Sequence, residues 1–271
     1  MNEIELFLGD CLEVMKRIPD GVVDCIIMDP PYGSLDCDWD VELDLGKMWE
    51  QFNRIAKKDA PIIIFSAQPF TSKLVMSNPS QYRCSYYWRK SIASGFQFSA
   101  HQPMRAVEEI CVFSRAAIEY HPPQVRHEKP FILHRKKRIK SECYGGKEFK
   151  GFSADNEEFV VKEFKTQTNF LEYPSISRKG RYINTQKPVD LMKFFVETYS
   201  KEGDLVADVT MGSCSTGIAA RDLNRRFLGI EKSKKHYAIA LKRIYQIEDI
   251  EEVFDLVADE LPEPANDSEY V

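Results

Sequence analysis

Asp29-Pro30-Pro31-Tyr32 closes an apolar run and is the segment of this chain best equipped for chemistry. Two consecutive prolines cannot continue a β-ladder or a helix, so a strand must end there. The Asp29 carboxylate and the Pro30 carbonyl are hydrogen-bond acceptors, which suits an amine with two N–H groups, and the Tyr32 ring suits a flat heterocycle. The motif therefore predicts a site for the exocyclic amine of a nucleobase. The alternative is a proline-rich turn after a buried strand.

A second candidate site follows the apolar segment Leu205–Asp208, where small residues lead to Gly217. A strand, a tight turn and a helix start bring backbone N–H groups close to a ligand. A P-loop would need Lys-Ser or Lys-Thr after Gly217, where the chain has Ile-Ala, and a dinucleotide fingerprint needs Gly where Cys214 stands. The turn favours adenosine without a pyrophosphate, and Glu231, at the end of the next apolar run, suits the ribose hydroxyls. The alternative is an ordinary strand–helix turn with a surface glutamate.

Apolar runs and helical patterns alternate along most of the chain. The predicted strands are Ile4–Leu8, Val22–Met28, Pro61–Ser66, Cys84–Trp88, Glu109–Phe113, Leu205–Val209 and Arg226–Ile230. The predicted helices are Leu43–Lys57, Val189–Tyr199, Ser215–Leu223 and Lys235–Tyr245. Strands that alternate with helices pair in parallel, so the sequence predicts an α/β fold with a doubly wound, mostly parallel seven-stranded sheet.

Residues 119–182 interrupt that alternation and contain the basic run Arg135–Lys140. Residues 115–187 hold sixteen Lys and Arg against nine Asp and Glu, although the whole chain has a net charge of −5. A protein that meets phosphates with one module can be acidic overall. We expect residues 1–118 and 183–245 to form the main domain and residues 119–182 an inserted module. Residues 246–271 hold ten Asp and Glu and no Lys or Arg, which predicts a partly disordered acidic tail.

The composition argues against a membrane protein and a zinc protein. No apolar run approaches the roughly 20 residues that a membrane span needs, and the first residues lack a basic leader. The seven cysteines form no Cys-x-x-Cys pair, and the five histidines form no His-Glu-x-x-His motif. We expect a cytoplasmic protein with reduced cysteines, no membrane partner and no metal.

The two candidate sites, in this order, resemble the beta group of S-adenosylmethionine-dependent DNA amino-methyltransferases. In that group the Asp-Pro-Pro-Tyr half precedes the target-recognition module, and the cofactor-binding glycine turn comes last. This chain has Asp29–Tyr32, then the insert, then Thr185–Pro188, then Asp208–Gly217. The resemblance covers roughly residues 4–118 and 183–245. It implies a Rossmann-like methyltransferase fold, S-adenosyl-L-methionine as cofactor, and a target base that is flipped out of double-stranded DNA.

The resemblance also implies roles for individual residues. Catalysis would use Asp29 and the Pro30 carbonyl to hold the amine and Tyr32 to stack on the flipped base, with Pro31 completing the motif. The cofactor would be bound by Asp10, Cys11, Asp29, Thr185, Gln186, Lys187, Asp208, Thr210, Gly212, Ser213, Ser215, Thr216 and Glu231. The family turn usually reads Asp-Pro-Phe-x-Gly-Ser-Gly-Thr-Thr. This chain departs from it at Val209, Thr210, Cys214 and Ser215.

Two basic segments are candidates for contact with DNA. The segment from Tyr86 to Lys90 places aromatic rings beside cations, which can stack on bases and meet phosphates, although Tyr86 and Trp88 fit the core equally well. The basic run would meet the DNA backbone, unless it is a solvated charged face. The predicted DNA-binding residues are Arg89, Lys90, Arg135, Lys136, Lys137, Arg138 and Lys140.

The favoured function is methyl transfer to N6 of adenine in double-stranded DNA, because relatives that act on cytosine more often carry Ser at position 29. N4 methylation of cytosine presents the same amine geometry and is the nearest alternative. A DNA-binding protein without catalysis, motivated by the altered glycine turn, is an alternative of another class. RNA is a weaker substrate, since no RNA-binding module is recognisable. The resemblance leaves room for a homodimer, a cognate restriction enzyme, and a bacterial, phage or mobile-element source.

Overall fold

A computed structural model of the chain describes residues 3–33, 43–134, 138–140, 148–150, 159–165 and 167–247. The chain divides into two compact units, residues 1–121 with 169–271, and residues 122–168. The second unit is shorter at both ends than the predicted inserted module, because residues 119–121 and 169–182 belong to the first unit. Of the predicted acidic tail, residues 248–271 lie outside the described part of the chain.

The described elements follow one another along both units. The strands are β1 (Ile4–Leu8), β2 (Cys25–Met28), β3 (Ile62–Ser66), β4 (Tyr82–Ser94), β5 (Arg105–Phe113), β6 (Val125–His134), β7 (Arg138–Lys140), β8 (Glu148–Lys150), β9 (Phe159–Lys165), β10 (Phe170–Tyr173), β11 (Leu205–Asp208) and β12 (Arg226–Glu231). The helices are α1 (Cys11–Met15), α2 (Leu45–Ile55), α3 (Phe70–Ser77), α4 (Val189–Tyr199), α5 (Ser215–Asp222) and α6 (Lys234–Tyr245). In this part of the chain, none of the helices has the length and apolar character that a membrane crossing requires.

One large sheet organises the first unit. Its strand order is β1-β12-β11-β2-β3-β5-β4-β10. Neighbouring strands are parallel except at β5, which runs antiparallel to both β3 and β4. The predicted α/β class with a mostly parallel sheet is confirmed. The described sheet has eight strands rather than seven, because β10 adds to the edge of β4 in parallel.

The described residues of the second unit form two small antiparallel ribbons. Strand β6 pairs with β9, with an irregularity in the register between Arg126 and Phe131, and β7 pairs with β8. Of the predicted basic run, Arg138 and Lys140 are in β7, whereas residues 135–137 are outside the described residues.

The central strands are apolar along their whole length because both faces of the sheet are covered. Strand β2 is completely buried, and its alternate residues contribute to different cores. Ile27 packs with Phe65 and Phe195 in one cluster, while Ile26 packs with Phe52 in the other. The sheet therefore holds the end of β2, and with it Asp29, between two packed layers.

Helix α2 shows how the local sequence sets one of these layers. The Asp44 side chain accepts a hydrogen bond from Lys47 N over 3.1 Å and so caps the first turn. The buried side chains of α2 recur at helical spacing: Leu45, Met48, Trp49, Phe52 and Ile55. The sequence prediction of this helix is confirmed within two residues at each end. The short helices α1 and α3 were not predicted, because each has too few turns to show a clear period.

We expect Gly217→Ala to destabilise the protein by about 2 kcal/mol. A Cβ atom at this position in α5 would overlap Cys214 Sγ and lie 2.6 Å and 2.8 Å from two ring atoms of Phe227. Both neighbours are completely buried and cannot move aside without cost. Chemical denaturation of the two proteins measures the difference.

The matched control is Gly180→Ala, where the nearest atom to an added Cβ lies 3.6 Å away. This control should change the free energy of unfolding by less than about 0.5 kcal/mol. Equal effects of the two substitutions would contradict the packing described for α5.

Candidate active site

Asp29 is the first residue after the buried strand β2, and its groups are held by hydrogen bonds. Its Oδ1 accepts a hydrogen bond of 2.7 Å from the Tyr32 hydroxyl, and its carbonyl accepts one of 3.1 Å from Thr210 Oγ1. The Tyr32 ring also stacks on Phe70, with the ring centroids 5.2 Å apart. Pro30 is buried and Pro31 half-buried. The strand end thus presents a carboxylate beside an aromatic ring, as the motif predicted.

The glycine turn after β11 lies beside that corner. The Thr210–Asp29 hydrogen bond joins the two candidate sites across 181 residues of chain. Asp208 is buried and accepts hydrogen bonds from Thr216 Oγ1 over 2.6 Å and from Thr210 N over 3.1 Å. Burial raises the pKa of Asp208 to about 7, and the nearby Asp29 and Glu231 carboxylates add to the shift. A carboxyl group that gains a proton near neutral pH therefore faces this turn.

Cys214, the main departure from the family turn, does not enter the site. It caps α5 with a left-handed backbone (φ 63°, ψ 35°), which explains why Gly is usual at this position. Its side chain is completely buried beside Gly217, in the same core cluster as Phe227. Burial raises the pKa of its thiol to about 12, so the group remains neutral.

Lys187 forms the centre of a network of four partly buried charges. Its ammonium group pairs with Asp29 Oδ2, lies 3.4 Å from Glu108 Oε2, and sits 5.2 Å from the centroid of the Phe65 ring. Glu108 Oε1 in turn lies 3.1 Å from Lys90 Nζ. The exposed fractions of these four charged side chains range from 9% to 25%, so water screens the pairs weakly. The two cations, Lys187 and Lys90, and the two anions, Asp29 and Glu108, therefore compensate one another beside the middle of β5.

The pKa values of Asp29, Glu108 and Lys187 are shifted by burial and by the neighbouring charges. Burial raises the pKa of Asp29 above its ordinary value, although Lys187 opposes the change. For Glu108, burial acts upward, but Lys187 and Lys90 outweigh it and lower the pKa. Burial acts downward on Lys187, and the two carboxylates reverse this and raise its pKa. Lys187 therefore stays an ammonium group.

Glu231 connects the glycine turn to the end of β1. Its Oε2 accepts a hydrogen bond of 2.9 Å from Gly212 N, and its Oε1 accepts one of 2.7 Å from Ser233 N. Its carbonyl accepts a hydrogen bond from the N–H of Gly9, the residue before Asp10. Asp10 caps α1 by accepting from Leu12 N, and its other carboxylate oxygen lies 3.2 Å from Lys232 Nζ. The sheet thus brings Asp10 and Glu231 to the same edge.

A cleft of about 430 Å³, open to solvent, joins the Asp29 corner to the glycine turn. Its apolar wall includes Phe65, Met192 and Met211. The predicted site residues that line it are Asp29, Thr185, Gln186, Lys187, Asp208, Thr210, Gly212, Ser213, Ser215 and Thr216. Of the described cofactor candidates, Asp10, Cys11 and Glu231 are outside this lining. Cys11 is buried, and burial raises the pKa of its thiol to about 11.

The predicted DNA-binding residues of β4 differ in their surroundings. Arg89 is exposed and pairs with Glu172 over 2.8 Å, whereas Lys90 is half-buried and its side chain turns inward to pair with Glu108. Tyr86 and Trp88 are core residues, which decides between their two interpretations. Glu108 was not predicted as part of the site. The available signal was a pair of glutamates directly before the apolar run that ends β5.

The family model described as DNA methylase, of the N6/N4 type, matches residues 23–242. The chain is 25% identical over 268 residues to the DNA adenine methyltransferase YhdJ of Escherichia coli K12, an alignment that covers 90% of this chain and 83% of YhdJ. For several other curated relatives, the alignment covers only 22% to 36% of this chain and 13% to 25% of the relative's length.

Solved structures share the fold at low sequence identity. The PvuII DNA methyltransferase, titled cytosine-N4-specific, superposes with a TM-score of 0.64 at 14% identity and covers 95% of this chain and 92% of its own. The M1.HpyAVI–SAM complex superposes with a TM-score of 0.58 at 21% identity and covers 89% and 99%. These likenesses support the α/β fold described above.

We expect Asp208→Asn to gain stability relative to the native chain as the pH rises from 5 to 8. The folded-state pKa of Asp208 is about 7, above the ordinary value of 3.8, so the native fold keeps a proton that the unfolded chain has lost. The free energy of unfolding of the native chain therefore falls as the pH rises from 5 to 8, whereas the Asp208→Asn variant does not show this fall. The relative gain should be on the order of 2 kcal/mol, measured by denaturation at each pH.

Asp222→Asn is the control for this measurement. Lys193 and Arg221 hold the pKa of Asp222 below its ordinary value despite partial burial, so this group does not titrate between pH 5 and 8. Its difference from the native chain should stay constant. A constant difference for Asp208→Asn as well would contradict the proton assigned to Asp208.

Lys187→Gln should cost about 3 kcal/mol of stability at pH 8, because it leaves the Asp29 carboxylate buried without its cation. The loss should shrink at pH 5, since the unpaired carboxylate then takes up a proton. The control is Lys201→Gln, which breaks an exposed pair with Glu119 and should cost less than about 1 kcal/mol. Equal losses at the two positions would show that the network of four charges is not a structural element.

Proposed function

The chain belongs to the DNA methylase family of the N6/N4 type, and from this membership we propose that it transfers a methyl group from S-adenosyl-L-methionine to an exocyclic amine of a base in double-stranded DNA. One observation carries the proposal. Asp29 is at once the acceptor of the Asp-Pro-Pro-Tyr corner and a lining residue of the cleft that runs to the glycine turn. A target amine at Asp29 would therefore lie at the mouth of a cofactor site.

The cleft has the properties that such a cofactor requires. Its lining contains two carboxyl groups, Asp29 and Asp208, against one cation, Lys187. A ligand with positive charge would meet acceptor oxygens there and would favour the ionised form of Asp208. Gly212 and Ser213 bring backbone close to the cavity, and Met211 and Phe65 supply apolar surface. S-adenosyl-L-methionine, with a sulfonium and an ammonium group, fits this set, and its methyl group is already activated for transfer.

The protein's part in the reaction is to hold and polarise the amine. Each Asp29 carboxylate oxygen receives one donor, Tyr32 or Lys187, and retains a lone pair for an N–H of the substrate. The Pro30 carbonyl would accept the second N–H. Two acceptors aimed at these hydrogens favour a pyramidal nitrogen with a localised lone pair, so catalysis depends on position and charge. Asp29 need not be a strong base, because the proton leaves late.

Adenine N6 is the proposed target, and cytosine N4 is the second candidate. Asp at position 29 favours adenine, and the relative YhdJ is named an adenine methyltransferase. The PvuII enzyme, titled cytosine-N4-specific, has the same fold, so the fold does not choose between the bases. The base must leave the helix to reach Asp29, at a cost of a few kcal/mol.

The remaining partner predictions belong to the same proposal. Arg89 and the basic run would contact the DNA backbone. A homodimer and a cognate restriction enzyme are the partners that the resemblance allows, and the predicted setting is the cytoplasm. Molar mass in solution tests the homodimer. Absence of cofactor binding would favour the alternative of a DNA-binding protein without catalysis.

The test is incubation with labelled S-adenosyl-L-methionine and unmethylated duplex DNA, followed by mass spectrometry of the digested nucleosides. We expect N6-methyladenine. N4-methylcytosine would keep the mechanism and change the base. Absence of any methylated nucleoside would reject the proposal for double-stranded DNA.

Asp29→Asn should lower kcat at least 100-fold, since its amide N–H groups would oppose those of the target amine. The affinity for S-adenosyl-L-methionine, measured by calorimetry, should change only a few-fold. The control is Asp44→Asn, the same substitution at the exposed cap of α2, which should keep full activity. A folded Asp29→Asn protein with native activity would refute the role given to Asp29.

A further inference from the structure

The hairpin of β4 and β5 extends beyond the rest of the sheet. Ser66, the last residue of β3, pairs with Glu109, yet the ladder continues to the pair Ser94–Arg105. Residues 91–107, here called the hairpin tip, therefore project past the edge of the sheet at which β3 ends. Strands β2 and β3 are parallel, so Asp29 lies at this same edge.

The hairpin tip is ordered by its own backbone and exposes large apolar side chains. A short 3₁₀ turn, Phe96–Phe98, follows Gly95, whose left-handed φ of 87° permits the reversal. Four backbone N–H groups after this reversal bond back to the carbonyl groups of Gly95, Phe96 or Phe98; the donors are Phe98, Ser99, His101 and Gln102. The exposed apolar residues of the tip are Ile92, Phe96 (76% exposed), Phe98 (49% exposed), Met104 and Val107. Such a patch on an ordered tip marks an interaction surface.

The charge around the hairpin tip favours an anionic partner. The hairpin tip contains the exposed Arg105 and no Asp or Glu, in a chain whose net charge is −5. At its base the exposed Arg89 pairs with Glu172, and Lys90 is compensated by Glu108. A second copy of this acidic chain would gain less from that surface than a polyanion would. Phenyl rings flanked by cations suit stacked bases flanked by phosphates.

Hydrogen bonds and ion pairs link the base of the hairpin tip to Asp29 in the candidate active site. Lys90 donates a hydrogen bond of 2.8 Å to Ser94 Oγ and pairs with Glu108. Glu108 lies 3.4 Å from Lys187, which pairs with Asp29. A duplex that delivers a base to Asp29 must cross this edge of the sheet, so it would meet the tip.

We propose that the hairpin tip is a wedge that enters duplex DNA beside the target base, with Phe96 and Phe98 in the stack that the flipped base vacates. The inference rests on the proposed function and adds the means by which the base is extruded. Apolar side chains inserted between base steps offset the loss of stacking. The wedge stabilises the extruded state of a paired base and is not needed when the base is already unpaired.

The test compares the native chain with the double variant Phe96→Ala/Phe98→Ala on two oligonucleotide duplexes. Both contain the methylated sequence mapped from genomic DNA, and one carries a mismatch opposite the target base. We expect the variant to lose about tenfold or more in kcat/KM on the matched duplex and to stay within about threefold on the mismatched one. Its affinity for S-adenosyl-L-methionine should be unchanged, because the tip is not part of the cleft lining.

Tyr245→Ala, which removes an exposed ring from α6, is the matched control and should be active on both duplexes. Equal activity of the double variant and the native chain, or an equal loss on both duplexes, would overturn the wedge while leaving methylation in place. A change of molar mass in the double variant, with methylation retained, would identify the tip as an interface between copies and would also overturn it. A native chain without methyl transfer would reject the proposed function, and the wedge with it.

Discussion

Lys187 and Asp29, 158 residues apart in the chain, meet in a partly buried ion pair, and the geometry of the candidate active site depends on it. Either charge alone would be costly at this depth, so each fixes the position of the other. Glu108 and Lys90 extend the pair into a chain of four charges that ties the end of β2 to β5 and β4. Electrostatic attraction therefore couples the end of β2 to the segment before α4 and to the base of the β4–β5 hairpin.

This unit is possible only because the sheet sets the positions of its members. Strands β11, β2 and β3 are adjacent and parallel, so Asp208, Asp29 and Ser66 end at one edge. Strand β5 enters that edge from the opposite direction, which places Glu108 at the start of its buried part. The order of the two half-sites along the chain has no effect on this arrangement. Parallel neighbours bring their carboxyl ends together whatever the connection between them.

Much of this architecture could be predicted from local pattern. The periods of α4 and of the apolar strands gave their limits to within a few residues, because burial on two faces leaves a continuous apolar run. The hydrogen bonds of Asp29 and Asp208 with distant residues could not be predicted in this way. The extension of β4 to Ser94 could not be predicted from local pattern either, because its last residues are exposed and pair only with β5.

The sequence alone determined that Asp29 ends a strand, that the turn after Asp208 can approach a ligand, and that the fold alternates strands with helices. Proline geometry, small residues and hydrophobic period are properties of neighbouring residues. The tertiary structure decided that Lys187 pairs with Asp29, that Lys90 pairs with Glu108, and that Cys214 packs into the core away from the cleft. These outcomes depend on which groups the packed layers shield from water and on which groups lie close to an opposite charge. Only the assembled sheet specifies these two properties.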